Sequence, residues 1–238
     1  MHPYINCDMG EGTGNDELLM PHIAWANIAC GYHAGDVATM QQTVQWAVQY
    51  SVAVGAHPSF PDKENFGRSE MRLESKEVYD LLIQQLVIIK EITTRVGIKL
   101  NHVKPHGALY NMSAKDAVLA ATIARAVRDF DTSLFLIGLS GSHSISEAKA
   151  IGIRTVSEVF ADRTYQDDGR LTPRSQPGAL IDNAGDVVKQ VLQMIEKGAV
   201  TTLSGNKITV LAETVCIHGD GEHAVEFAKA IQKAISNR

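Results

Sequence analysis

Seven side chains able to do acid–base, metal-ligand or anion-binding chemistry recur in one kind of place along this chain. Asp8, His33, His57, Lys104, His106, His218 and Asp220 each stand at or just after a short apolar run that ends in a turn. Glu11 shares the first of these turns with Asp8, and Arg163 and Arg174 belong to a long polar stretch that follows a later run. Carboxylates and imidazoles can serve as general bases toward water, and a lysine or arginine can steady an oxyanion, a phosphate or a carboxylate. An Asp with two or three His from different turns could instead hold zinc or another divalent ion. No local ligand signature such as HExxH occurs, so the residues leave the metal open. A GxSxG nucleophile elbow and a GxxxxGK[ST] phosphate loop are both absent. In NCDMGEGTGND (6–16), Gly10, Gly12 and Gly14 alternate in the manner of a phosphate cradle. Yet Asp8, Glu11 and Asp16 thread that loop with no neighbouring cation and would repel a polyphosphate. The segment reads as an acid-bearing turn.

Taken singly, each residue has a plainer reading. Asp36 is placed to cap a helix, and Asp8 could simply pin its own loop. Cys7, Cys30 and Cys216 read as small packing residues, with no base beside them in sequence to activate a thiol. Phe60, Phe66 and Tyr110 suit loop packing as well as substrate stacking. His102 alternates with His106 and is expected to face the other side. Of the nine histidines, 33, 57, 106, 143 and 218 fall in strand-to-helix turns. Independent structural roles do not predict such clustering at one end of different units.

The elements that must position these groups alternate along the whole chain. Strands are expected near Tyr4–Cys7, Ile23–Ala29, Ala53–Ala56, Lys99–Val103, Leu134–Ile137, Thr155–Phe160 and Thr214–Ile217, with Ile208–Leu211 a short extra strand. Between them, apolar residues at helical spacing mark five helices: Val37/Met40/Val44/Val48 after Asp36, Val78/Leu82/Leu86/Ile89 from Ser75, Leu119/Ile123/Val127/Phe130, Val187/Val191/Ile195 up to Gly198, and Ala224/Ala228/Ile231/Ile235. Ser113 followed by Asp116 resembles a capping box ahead of the third. Such alternation predicts a parallel sheet with helices outside. With about seven units it favours a closed α/β barrel over an open sheet, because a barrel brings every strand's C-terminal end to one face. Two polar loops, Pro58–Arg72 and Asp162–Ala179, exceed the usual ~12–15 residues and are expected to overhang that face as lids.

Bulk properties fit one soluble domain of 238 residues, since α/β barrels of ~200–250 residues are routinely single domains. A net charge of −5 without basic runs argues against nucleic acid or an anionic membrane as partner. No run approaches the ~18 apolar residues of a membrane span, and the N-terminal residues do not read as a signal peptide. Three cysteines without CxxC spacing point to a reducing cytoplasmic setting.

In order, from residue 5 to about residue 221, NCDMGEG, NIACGYHAGD, GAHPSFPD, FGR, VKPHGALYN, FADRTY, LTPRSQPGA and CIHGD together resemble the LamB/YcsF family, that of the A subunit of bacterial ATP-dependent 5-oxoprolinases. The resemblance implies a distorted barrel of seven β/α units, akin to metal-dependent polysaccharide deacetylases. It also implies conversion of 5-oxo-L-proline, ATP and two waters to L-glutamate, ADP and phosphate, with two further subunits, B and C. On that reading Asp8, Glu11, His57, Lys104 and His106 are the expected catalytic groups, and His33, Arg163, Arg174, His218 and Asp220 the expected substrate contacts. ATP, with Mg²⁺, is the expected cofactor. Two other readings stand beside it: a metal-dependent amide or sugar deacetylase with Asp8, His33 and His57 as ligands, and a non-catalytic subunit that presents substrate to its partners.

Overall fold

In the computed structural model, which describes residues 3–236, strands and helices alternate as expected. The first half runs β1 (Tyr4–Met9), α1 (Asp16–Leu19), a 3₁₀ turn (Met20–His22), β2 (Trp25–Ala29), α2 (Val37–Gln49), β3 (Ala53–His57), α3 (Ser75–Arg95) and β4 (His102–Val103). It continues with α4 (Gly107–Lys115), α5 (Ala117–Phe130), β5 (Phe135–Leu139), α6 (His143–Ala150) and β6 (Arg154–Phe160). The last part comprises α7 (Ala184–Lys197), β7 (Ala199–Thr201), β8 (Lys207–Thr209), β9 (Thr214–His218) and α8 (Ala224–Ser236). Seven strands close into a parallel barrel in the order β1-β2-β3-β4-β5-β6-β9, giving a single α/β domain with the helices outside.

The expected extra strand at Ile208–Leu211 is β8, and it stands outside the barrel in an antiparallel ribbon with β7. The helix starts follow local chemistry. Asp36 accepts from the Thr39 backbone N–H at 2.8 Å and caps α2, while α3 begins behind a reciprocal Glu74–Glu77 capping box. The capping box expected at Ser113 does not form. Ser113 lies inside α4, its hydroxyl bonded back to Tyr110 O, and Asp116 alone caps α5 through the Val118 and Leu119 N–H groups. Gly198 ends α7 in the left-handed region at φ 57°. Helices α1, α4 and α6 have no counterpart in the sequence reading.

Barrel strands alternate side chains between the helix layer and the interior. Outward residues such as Ile5, Cys7, Ile28, Val54 and Val159 join the main apolar core. The interior is layered. At the N-terminal end Trp25, Ile137 and Val156 form a separate apolar cluster with Phe135, and Trp25 also stacks on Tyr4 at 5.2 Å. One residue pair further along, the interior turns polar with Asn6, Asn27, His102, Glu158 and Thr214. Asp8, His57, Lys104 and Cys216 lie above them, towards the C-terminal face. The titratable groups of β1, β3 and β9 therefore belong to the strands themselves rather than to the turns after them, which fixes their positions tightly.

Candidate functional site at the C-terminal face of the barrel

Lys104, 2% exposed, stands at the centre of the barrel mouth. Its ammonium donates to Asp8 Oδ1 at 2.8 Å and lies 3.0 Å from both Glu158 Oε1 and Cys216 Sγ. Asn27 bridges Asp8 Oδ1 (2.8 Å) and Asn6 Oδ1 (2.7 Å), and Asn6 donates to Glu158 Oε1 at 2.9 Å. Burial would strip the Lys104 charge, but Asp8, Cys216 and Glu158 around it raise its pKa well above the usual value. Burial likewise favours a neutral Asp8. The charges of His57 and Lys104 outweigh it and hold that carboxyl well below the carboxylate range. Asp8 is thus an ionised anchor for Lys104.

Beside this pair lies a cluster of imidazoles. His57 Nε2 is 3.4 Å from Asp8 Oδ2 and 2.9 Å from His106 Nδ1. Glu11 Oε1 is 3.1 Å from His33 Nε2 and 3.4 Å from His106 Nδ1. The His33 and His106 rings stack, 3.8 Å between centroids and 4° between planes. Burial, then the Asp8 and Asp220 charges, raise the Glu11 carboxyl well above its ordinary value. Burial and the charge of His57 push His33 down to about 2. The third acid of the glycine turn is structural: Asp16 Oδ2 accepts from Gly10 N–H (2.7 Å) and the Thr43 hydroxyl (2.9 Å), pinning the turn to α2.

Both long loops overhang this floor and line one cavity of about 400 Å³ with it. The first is seated by Ala108 N–H donating to Gly67 O at 2.9 Å. The contact needs glycine at 107, with φ at +56°, because a Cβ there would lie 2.4 Å from that same oxygen. Arg68 of this loop donates to Asp220 at 2.6 Å, tying it to the turn after β9. The second loop folds back through isolated bridges Arg163↔Leu180 and Tyr165↔Leu171. It brings Arg163 and Arg174 over the cavity. Asp162 accepts from His218 Nδ1 at 2.9 Å, and the His218 ring stacks on Phe160. Burial opposes the Asp162 charge, but His218 and the Arg174 and Arg163 charges lower its pKa.

Nine of the ten expected site residues line this cavity: Asp8, Glu11, His57, Lys104, His106, Arg163, Arg174, His218 and Asp220. His33 does not. It is 1% exposed behind Glu11 and His106, so a direct substrate contact from it is not available. His143 is exposed at the start of α6 and stays outside. His102, expected to face the other side, points into the barrel, its Nε2–H donating to Asn27 Oδ1 (2.8 Å) and its ring stacking on Trp25. Burial, then the Lys104 charge, lower its pKa to about 3. Cys216 is more than packing, given its contact with Lys104, whereas Cys7 and Cys30 are buried in the core. A metal set of Asp8, His33 and His57 is not what assembles, because Asp8 Oδ1 is taken up by Lys104 and Asn27. The sequence reading passed over Asn6, Asn27 and Glu158, and places Asp162 only at the start of the second polar loop, not among the site residues. A signal existed for two of them: Asn6 precedes Asp8 by two residues and Glu158 precedes Phe160 by two, the spacing of one strand face.

Residues 4–238 match the model of the LamB/YcsF family. A protein of Bordetella pertussis, named as the A subunit of 5-oxoprolinase, is 50% identical, the match covering 99% of this chain and 96% of that protein. Another of that name, from Tolumonas auensis, is also 50% identical, covering 97% and 94%. The crystal structure of a lactam utilization protein from Thermus thermophilus superposes with a TM-score of 0.92 at 39% identity, covering 100% of this chain and 97% of that one. A family 4 carbohydrate esterase from Streptomyces lividans shares the fold at a TM-score of 0.52 and 11% identity, covering 99% and 88%. Among the described residues, no helix is long and apolar enough to cross a membrane.

Proposed function

The chain belongs to the LamB/YcsF family, and from that premise we propose that it is the lactam-holding subunit of a 5-oxoprolinase, opening 5-oxo-L-proline to L-glutamate with ATP consumed and with subunits B and C as partners. Relatives named for the A subunit of that enzyme, 50% identical over nearly the whole chain, support the reaction class.

The observation that carries the reading is at Arg163. This side chain lines the cavity and is 4% exposed, with its Nε buried and unpartnered. Its guanidinium donates to a neutral acceptor, Thr172 O, and among the described residues no carboxylate closes an ion pair with it. Burial and the charge of Arg174 lower its pKa to about 10. A buried, unneutralised guanidinium facing a small cavity calls for an anion, and the carboxylate of 5-oxoproline supplies one. Of the other cations at the rim, Arg68 is closed by Asp220, Arg170 by Asp168 and Lys115 by Glu70. Arg163 and Arg174 are left for the substrate, too few for the triphosphate of ATP as well. With no phosphate loop in the chain, nucleotide binding with its Mg²⁺ falls largely to the partner subunits.

The chemistry then divides between small steps. The lactam oxygen takes the γ-phosphoryl group of ATP and ADP leaves, which makes the ring carbon electrophilic. Water adds to that carbon and gives up a proton. His218 is built for this: Asp162 holds its Nδ1–H, which leaves Nε2 free to accept. The C–N bond breaks as the same imidazole returns the proton to the departing nitrogen. The resulting acyl phosphate is hydrolysed by the second water to glutamate and phosphate. Lys104, fixed by Asp8 and Glu158, presents positive charge to the developing oxyanion. Glu11, His57 and His106 form the wall beside it.

An ATP-dependent glutamate-formation assay, with and without subunits B and C, tests the proposal. Product is expected only from the complete set, and Arg163→Met should suppress it. Lactam-dependent ATP turnover by this chain alone would overturn the division of labour. Undiminished activity of assemblies carrying Asp8→Asn or Arg163→Met would overturn the catalytic role.

A further inference from the structure

The hydrogens around His57 and His33 can be placed from their partners. His57 Nδ1 lies 2.7 Å from Lys104 O, and a carbonyl only accepts, so Nδ1 carries a hydrogen. His57 Nε2 faces His106 Nδ1 at 2.9 Å and Asp8 Oδ2 at 3.4 Å. His106 donates its Nε2–H to Phe66 O at 2.9 Å, which leaves Nδ1 as an acceptor, and Asp8 is ionised. Both neighbours call for a hydrogen on His57 Nε2 as well. His57 is therefore an imidazolium, and His106 a neutral ring that accepts from it.

A second chain of hydrogens runs beside the first. The Ser59 hydroxyl lies 2.9 Å from Phe60 O and donates there, since the two oxygens would otherwise set lone pairs against each other. It then accepts from His33 Nδ1, also 2.9 Å away, and His33 Nε2 is left with a lone pair. Glu11 Oε1 stands 3.1 Å from that nitrogen, and a carboxylate there would repel it. A second hydrogen on His33 would relieve the contact only by adding an imidazolium with its ring 5.5 Å from that of His57. The side chains of His33 and Glu11 are 0% and 3% exposed, so water does not screen either repulsion. His106 Nδ1, 3.4 Å from Glu11 Oε1, already accepts from His57. The hydrogen that fits the contact is on Glu11 Oε1, pointing at His33.

We propose that Glu11 is a neutral carboxylic acid whose proton is donated to His33, and that this neutrality keeps the cavity open to an anionic lactam. His33, which cannot reach the cavity, is then a positioning residue that holds the proton on Glu11. The charges around Glu11 agree. Burial, Asp8 on β1 and Asp220 after β9 all disfavour a further carboxylate. Arg68, Lys104 and His57 favour one, but Arg68 is paired with Asp220, and Lys104 and His57 face Asp8. Glu11 lines the cavity, so ionising it would oppose the substrate carboxylate and the phosphoryl group added to the lactam. The effect on binding rests on the lactam reading; the place of the proton does not.

Infrared difference spectra of the full chain against Glu11→Gln should show, at neutral pH, the C=O stretch of a protonated carboxyl, well above the carboxylate bands. His33→Phe keeps a ring to stack on His106 and removes the acceptor, so the band should vanish at lower pH than in the wild type. His33→Gln, whose carbonyl can accept, should restore part of that shift, with circular dichroism reporting the folding of both variants. In calorimetry, 5-oxoproline should bind the wild type about tenfold more weakly for each pH unit above the point where the band is lost. A wild-type chain without the band at neutral pH overturns the proposal whatever the variants do. So does a band with the same pH range in folded His33→Phe. Affinity that stays level while the band is lost overturns the role in binding. A neutral-pH band in a chain that binds no lactam would keep the proton on Glu11 and sink the proposed reaction; lactam turnover by a chain without the band would do the reverse.

Discussion

Gly55 on β3 leaves empty the volume that the His102 ring of β4 occupies: a Cβ at Gly55 would sit 2.0 Å from His102 Nε2. The two are register partners on adjacent strands, and the ring reaches inward only because its neighbour has no side chain. His102 in turn bonds Asn27, and Asn27 bonds Asp8. One missing methyl group thus underlies the chain of contacts that ends at the Lys104–Asp8 pair.

Gly55→Ala should therefore be costly although its backbone needs no special conformation. The ring has nowhere to move among Trp25 and Asn27, so overpacking of about 1–3 kcal/mol is expected. Chemical denaturation would read this as a lower midpoint. A Gly55→Ala, His102→Ala double variant should recover part of the loss, because the second change vacates the contested space.

Lys104 supports a second expectation. Removing its ammonium leaves Asp8 and Glu158 buried without their cation, and Glu158 Oε2 already has no hydrogen-bond partner. Lys104→Met should destabilise by about 3–5 kcal/mol. Adding Asp8→Asn should restore a portion. The cycle's coupling energy, measured by urea unfolding of the four proteins, would be near zero if the pair were incidental.

The sequence made the barrel readable for a physical reason. Parallel strands in a barrel all end on one face, so Asp8, His57, Lys104 and His218 announce the site by position along the chain. What lies inside the strands was harder to see. Asn6, Asn27 and Glu158 look like interruptions of apolar runs, and only the period-two spacing to Asp8 and Phe160 marks them as inward residues. Radial depth is invisible in a sequence. His33 has the right type in the right turn, but Gly67 and Phe66 of the first loop pack against it and close it off from the cavity. Helix α4 was hidden because Gly107 opens it where a loop seemed to continue. The His218–Asp162 pairing spans 56 residues, and no local pattern reports it.

Arg163 and Arg174 should separate binding from chemistry. If the substrate carboxylate meets Arg163, then Arg163→Met removes charge-assisted hydrogen bonds worth about 1.5–3 kcal/mol. That corresponds to roughly a 10- to 150-fold rise in KM. Arg174, exposed at the rim, should show a smaller rise. A fall in kcat with unchanged KM in Arg163→Met would place the guanidinium at the reacting atoms instead.

Asp162 gives a pH dependence with a definite sign. Its pKa is lowered in the folded protein, against its own burial, by His218 and by the Arg174 and Arg163 charges. A depressed carboxyl contributes stability that is fully present above its unfolded value, about 3.9, and is lost as pH falls through the folded value. The stability difference between the wild type and Asp162→Asn should therefore be flat from neutral pH down to about pH 4 and shrink below it. Activity should respond at the other end of the same contact. Without the carboxylate, His218 loses the partner that fixes its tautomer, so Asp162→Asn should lower kcat by about 10²–10⁴-fold while leaving KM nearly unchanged. Urea midpoints across pH 3 to 7, measured beside kcat of the assembled enzyme, test both halves. A stability difference that persists unchanged below pH 4 would show that Asp162 acts through shape rather than charge.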